Sequence, residues 1–291
     1  MRERQAGRFL SLFSMLRNEV RSWSPPLKIG SAIMALLGLV AIFAPFIAPY
    51  DPNYQDFEAI LVPPSLKHLF GTDNLGRDVF SRVVFGARID LVVGFLLTYV
   101  PMIYGVLIGA YAGYIGGRFD ATLMRIIDVA MAFPFLVLIV VILAILGPGI
   151  QNIYIAIFIV AWTMYARLAR AEMMVERTKD YMVAAKVLGF PRSRIIFLHG
   201  LPNVINSSIV FSTSDFVLNI VLVSGLSFIG LGIQPPAPEW GSMIAEGRDF
   251  MRQAWWIAVL PGFAIVLTGM ALVLIGDGLA RRLGERHHTM V

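Results

Sequence analysis

The group in this chain most able to act chemically is the carboxylate of Asp215. It lies well inside an apolar run over 204–231, with Asn219 one helical turn on and Ser212, Thr213 and Ser214 beside it. An ionisable group at that depth is costly unless it faces a cavity or a partner. Few other groups compete with it. The chain has no cysteine, so disulfides and thiolate metal sites are excluded. His68, His199, His287 and His288 do not have the spacing of a metal-ligand set. No GxxxxGK[ST] loop, HExxH or GxSxG occurs, so a P-loop nucleotide site, a zinc protease and a hydrolase elbow are not expected. The chain therefore reads as a non-enzyme.

The elements that must hold Asp215 follow from composition. Of 291 residues, 57% are apolar and only 15% charged, whereas soluble domains carry about a quarter charged residues. A helix needs about 20 apolar residues to cross a bilayer. Apolar runs occur at about 29–50, 89–115, 126–146, 151–166, 204–231 and 254–276, and the fourth lengthens if it takes in Tyr165 to Ala171. The expected fold is an all-α membrane protein with about six transmembrane helices. A net charge of +5 would suit nucleic acid, but the basic residues flank apolar runs, which points to lipid and not to nucleic acid.

Direction follows from lysine and arginine. The N-terminal tail 1–26 carries five, segment 167–202 seven and the tail 281–291 three, whereas acids outnumber bases in 51–87 and 232–253. Both termini and 167–202 are thus expected in the cytoplasm. The division is a cytoplasmic tail (1–26), a first span (27–50), an extracytoplasmic segment (51–87), a core of five spans (88–280) and a second tail (281–291). Within the core lie the loop 167–202 and an outer loop, 232–253. Gly105, Gly109 and Gly113 form one stripe and Gly262, Gly269 and Gly276 another, suited to close helix packing within the bundle or against a second subunit. Pro101, Pro134 and Pro261 fall inside spans, where a kink is expected.

Segment 167–202 carries the densest local signals. Thr178 or Asp180 can cap a helix over about 181–188, Gly189 can end it, and Pro191 suits the first turn of a second short helix that Pro202 stops. The result is a hairpin against the membrane face, anchored by Tyr181, Met182, Leu188, Phe190, Ile195 and Ile196. It could be an interfacial packing element or could insert into a groove on a partner. On the outer side, Gly71-Thr72-Asp73 reads as a turn and cap before a short helix toward Arg82, with Arg77–Asp78 as a surface pair. Glu239-Trp240 can start a helix after Pro238, and Trp240, Trp255 and Trp256 suit either an interfacial belt or a binding surface.

Ala184-Ala185, Gly189 and Leu201-Pro202, with Asp180-Tyr181 ahead of them, resemble the "EAA" loop of ABC-importer membrane subunits. Val183 stands where that loop has its glutamate, and His199 replaces the isoleucine before Leu-Pro. His68-Leu-Phe-Gly71-Thr72-Asp73-Asn-Leu-Gly76-Arg77-Asp78 and Gly232-Ile-Gln234-Pro235-Pro236-Ala-Pro238-Glu239-Trp240-Gly241 resemble the dipeptide/oligopeptide/nickel permease branch, in particular its shorter, second permease. The resemblance covers about 28–280.

It implies a multi-pass subunit of a prokaryotic cell membrane, working with a homologous second permease, two cytoplasmic ATPase subunits and an extracytoplasmic substrate-binding protein. ATP and Mg would sit on the ATPases, and this chain would hold no cofactor and no metal. Asp180, Tyr181, Ala184, Ala185, Gly189, Leu201 and Pro202 would form the cytoplasmic coupling element between spans 4 and 5. Asp215 and Asn219 would line the pathway, toward the amine of a peptide, or Asp215 would bond to the neighbouring permease. The alternative is an ion-coupled secondary transporter, for which internal inverted repeats are lacking. The cargo class stays open among peptides, nickel chelates and other small solutes.

Overall fold

A computed structural model of the protein describes residues 23–288, with side chains through Leu283. The five arginines of the N-terminal tail and the side chains of His287 and His288 lie outside that description. The regular elements among the described residues are helices, with no β-strand: α1 (Pro25–Ile42), α2 (Ala44–Ile47), α3 (Val79–Ile115), α4 (Gly117–Met131), α5 (Phe135–Leu146), α6 (Ile150–Glu176), α7 (Asp180–Val187), α8 (Arg192–Arg194), α9 (Leu201–Phe228), α10 (Trp240–Gly247) and α11 (Trp256–His288).

Five of these segments are long and apolar enough to cross a bilayer: α1, α3, α6, α8 through α9, and α11. Where a further span is expected, over 126–146, the chain forms a bent pair, α4 and α5, which meet at 83° as a broken span or a re-entrant loop does. Pro134 sits at that break in extended backbone (ψ 126°). It cannot donate to a continuing helix, and it pushes Phe133 away from helical geometry. Pro101 and Pro261, by contrast, lie inside unbroken helices.

The first glycine stripe is an internal seam. A Cβ on Gly105, Gly109 or Gly113 would stand 2.6, 2.2 or 2.6 Å from the carbonyl oxygens of Trp162, Ala166 and Arg170. Those three carbonyls also recur every four residues, so α3 and α6 touch backbone to backbone along a common line. In lipid, where burial between helices gains little, such proximity is the main source of association. Two members of the second stripe face α9: Gly269 meets Val217 and Gly276 meets Thr213.

In the segments expected outside the cytoplasm, 51–87 and 232–253, the structure departs from expectation. The helix beginning near Arg82 is α3 itself, about 55 Å long at 1.5 Å per residue and therefore projecting well beyond a ~30 Å hydrocarbon layer. Its cap is Asp78, not Thr72 or Asp73. Asp78 Oδ2 accepts from Ser81 N (2.8 Å) and Ser81 Oγ (2.7 Å), and Oδ1 lies 2.9 Å from His68 Nδ1. Asp73 instead accepts from the amides of Leu75 and Arg77, closing the loop before the helix.

Arg77 and Asp78 are not a surface pair. Arg77 donates to Asp73 Oδ2 and Glu246 Oε2, both at 2.6 Å, and Arg82 approaches the same two oxygens at 3.7 and 3.5 Å. Both guanidiniums are buried. Two cations and two anions thus form a neutral clamp joining the segment before α3 to α10. Trp240 is neither belt nor binding surface. It is fully buried, with Nε1 donating to Val83 O (3.0 Å) and its ring against Gly86, while Glu239 caps α10 through Gly241 N and Ser242 N. Trp256 Nε1 donates to Thr72 O (3.0 Å), tying α11 to the same segment.

A buried ion pair resists loss of one partner far more than it adds net stability, because the remaining charge is stranded. Arg77→Met is expected to destabilise the protein by roughly 3 kcal/mol, whereas Asp249→Asn, in a solvent-exposed pair with Arg248, should change it by less than about 0.5 kcal/mol. Thermal unfolding in detergent checks both. Equal, small shifts would show that the clamp is not structural.

Candidate functional site

The hairpin is built from both ends inward. α7 starts without a side-chain cap: Lys179 holds the N-cap position, Thr178 Oγ1 donates back to Val175 O (2.7 Å), and Asp180 lies in the first turn. The expected capping by Thr178 or Asp180 is therefore not found. Asp180 instead places its charge near the positive end of the helix dipole. The C-terminus is a Schellman turn. Gly189 N donates to Lys186 O and Phe190 N to Ala185 O, with Gly189 at φ +78°. A Cβ at Gly189 would meet nothing within 4 Å, so the backbone conformation alone selects glycine there.

The second limb also differs from expectation. Pro202 does not stop it. From α8 the chain passes through a π-helical turn, Ile195–Gly200, straight into α9. Leu201 N reaches back to Ile196 O, five residues earlier. The wider turn accommodates a proline that has no N–H to give. Asn203 Nδ2 donates to His199 O at 2.9 Å, so a side chain supplies a donor at the turn beside it. Leu201 and Pro202 are thus the first residues of a span.

The inner face of the hairpin belongs to the bundle core. Met182, Ala185, Ile195 and Ile196 are buried in one cluster with Met102 and Val106 of α3 and Tyr165 and Met173 of α6. Polar contacts add to it. Tyr181 OH donates to Glu176 Oε1, Asn203 Nδ2 donates to Tyr181 OH (3.0 Å), and Lys179 Nζ pairs with Glu176 Oε2 (2.7 Å). Burial, together with the Glu176 carboxylate, pushes the Tyr181 phenol up from its ordinary value, so it remains a donor at neutral pH. The outer face is different. Val183, Val187 and Leu188 are 47, 81 and 72% exposed, and Ala184 is exposed between them. Leu188, expected as an anchor, thus points away from the bundle.

Asp215 lies on α9, away from the hairpin. Its Oδ2 accepts from Tyr165 OH (2.8 Å) and from Asn219 Nδ2 (3.2 Å), and Asn219 also donates to Thr98 Oγ1 (3.0 Å). The structure therefore brings the two predicted residues together and adds Tyr165 and Thr98, which are remote in sequence. Asp215 and Asn219 line a groove of about 550 Å³ with otherwise apolar walls, including Phe135, Met164, Phe211 and Leu222. Among the described residues no group of three or more histidine, aspartate or glutamate side chains could hold a metal ion.

Tyr181→Phe removes the hydroxyl that links Glu176 to Asn203, at a cost of about 1–2 kcal/mol. Amide hydrogen exchange over 180–190 is expected to quicken in that variant while exchange in α3 and α6 stays unchanged. Unaltered exchange in the hairpin would mean that the network does not hold it.

Comparison with known proteins places these features in a family context. Residues 105–288 match the model of the binding-protein-dependent transport system inner membrane component, and residues 26–64 that of the N-terminal transmembrane domain of oligopeptide transport permease C. The chain is 43% identical over 263 residues to the di/tripeptide transport system permease protein of Pseudomonas aeruginosa, covering 88% of this chain and 87% of the relative. It is 42% identical over 255 residues to a probable D,D-dipeptide transport system permease protein of Escherichia coli (87 and 86% covered). It is 44% identical over 252 residues to a glutathione transport system permease protein of the same species (86 and 83% covered).

Proposed function

We propose, from the premise that this chain belongs to the family of binding-protein-dependent transport system inner membrane components, that it forms half of a translocation pathway for small peptides. It is a multi-pass bacterial inner-membrane permease of an ABC importer, and the functions named for its relatives favour that role over an ion-coupled carrier. Its partners would be a homologous second permease, two cytoplasmic ATPases carrying ATP and Mg, and an extracytoplasmic substrate-binding protein. Both termini and the hairpin would lie on the cytoplasmic side, in keeping with the excess of lysine and arginine there.

The observation that carries the coupling role is the two-faced hairpin. Its inner residues share a core with α3 and α6, while Val183, Val187 and Leu188 present an apolar face outward. Burying a valine or leucine side chain contributes about 1.5–3 kcal/mol. Docking of these three in a groove of an ATPase therefore supplies an energy of the same order as the roughly 5.5 kcal/mol needed to turn a 1:99 equilibrium into 99:1. With Val183 in place of the motif's glutamate, the contact would rest on apolar fit, with Asp180 and Tyr181 at its start, Ala184 in its middle, Ala185 backing it from the bundle core and Gly189 at its turn. The span beginning at Leu201-Pro202 would receive the motion.

Asp215 would face the pathway. One carboxylate oxygen is held by Tyr165 and Asn219, which fixes its direction toward the groove, and two of the relatives are named for di- and tripeptide or dipeptide transport. A carboxylate in an otherwise apolar groove suits the ammonium end of a peptide.

Two variants test this. In the reconstituted importer, Gly189→Val places a branched residue in the left-handed region at about 1–2 kcal/mol and should leave membrane insertion and ATP hydrolysis intact while uptake falls at least tenfold. Uptake at the normal rate would remove the coupling role. Asp215→Asn should lower uptake of free-amine dipeptides several-fold while N-acetylated dipeptides are carried as before. An unchanged ratio between the two cargoes would remove the pathway role.

A further inference from the structure

At the base of the hairpin, where α3 and α6 end, lies a cavity of about 770 Å³. Its polar side is formed by Arg177, Lys186 and Arg192 with the hydroxyl-bearing Thr178, and its other side by Tyr114, Ile115, Phe190 and neighbouring apolar residues. No aspartate or glutamate lines it. We infer that this cavity binds the phosphodiester headgroup of an anionic phospholipid, with the start of its acyl chains against the apolar wall.

Three observations carry the inference beyond the transport role. First, two of the three cations are uncommitted where their neighbours are not. Lys179 is paired with Glu176, and the Arg194 guanidinium lies 4.4 Å from the centre of the Phe190 ring. Lys186 and Arg192 enter no ion pair among the described residues. Arg177 is fixed through one nitrogen, Nη1, which donates to Gly113 O (3.0 Å) and Tyr114 O (3.2 Å). That leaves Nε and Nη2 for a ligand, in the fork geometry that suits phosphate oxygens.

Second, the position suits a headgroup. Ile115 is the last residue of one membrane-crossing helix and Arg177 follows the last residue of another, so the cations stand together at the ends of two such helices. Basic pockets between membrane helices suit lipid headgroups. Third, the cavity is amphipathic. A free phosphate would use only the basic side, whereas a phospholipid uses both. Because Lys186 and Arg192 flank the Gly189 turn, such a lipid would brace the hairpin against the end of α3.

The test is native mass spectrometry of the full-length protein in detergent with equimolar phosphatidylglycerol and phosphatidylcholine. One bound phosphatidylglycerol is expected, retained over phosphatidylcholine by on the order of tenfold, and not displaced by millimolar inorganic phosphate. The double variant Lys186→Gln/Arg192→Gln should lose that preference with no change in thermal unfolding, both side chains being exposed. Arg194→Gln, outside the cavity, should keep it. Equal retention of the two lipids, an unchanged preference in the double variant, displacement by phosphate, or equal loss in Arg194→Gln would each overturn the site.

Discussion

The rest of the bundle depends on the contact of α3 with α6 through Gly105, Gly109 and Gly113. Carbonyls of α6 occupy the space where side chains of α3 would otherwise be, so the two helices cannot rotate or slide without a clash. Everything on α6 inherits that fixed position. Tyr165 faces Asp215 because its neighbour Trp162 and its successor Ala166 are pinned by the seam. Met173 closes over Met182 and Gly200, and Glu176 at the helix end takes the Tyr181 hydroxyl. A seam of missing side chains thus positions both the intramembrane carboxylate and the base of the hairpin.

The two ends of the bundle are stabilised by different physics. At the end carrying α10, charge is buried and neutralised within the chain: Asp73, Arg77, Arg82 and Glu246 pair with one another. On the hairpin side, charge is mostly left at the surface and apolar groups do the holding, with Tyr181 and Glu176 as the main polar link. The first arrangement resists deformation, since moving one member strands another. The second tolerates exchange of neighbours, because no member of it is stranded when a contact is lost.

How much of this was legible in the sequence depends on the range of each interaction. The spans were legible because apolar runs of about 20 residues have few other uses. The Gly189 turn was legible because a left-handed residue after a helix is a local demand that glycine meets. The outer clamp was not, because Arg77 meets Glu246 across 169 positions and nothing near Arg77 indicates that partner. Asp73 was read as the cap of α3 because it stands beside a turn, and the competing Asx contacts to Leu75 and Arg77 are invisible without coordinates. Pro202 was read as a stop because proline usually is one, and the π-turn that absorbs it has no sequence signature. By its type Trp240 suits an interfacial belt or a binding surface, but Gly86 offers it a buried seat.

That π-turn has a mechanical corollary. With no break between Arg192 and Phe228, the rod that begins at the hairpin also carries Asp215. Thirteen residues separate Pro202 from Asp215, or about 20 Å of helix. A tilt of roughly 10° pivoting at the proline displaces the carboxylate by ~3 Å over that ~20 Å arm, more than the slack in a hydrogen bond. The phenol of Tyr165, fixed to the other helix, stays behind. A tilt of that rod would thereby make or break a single polar contact inside the bundle.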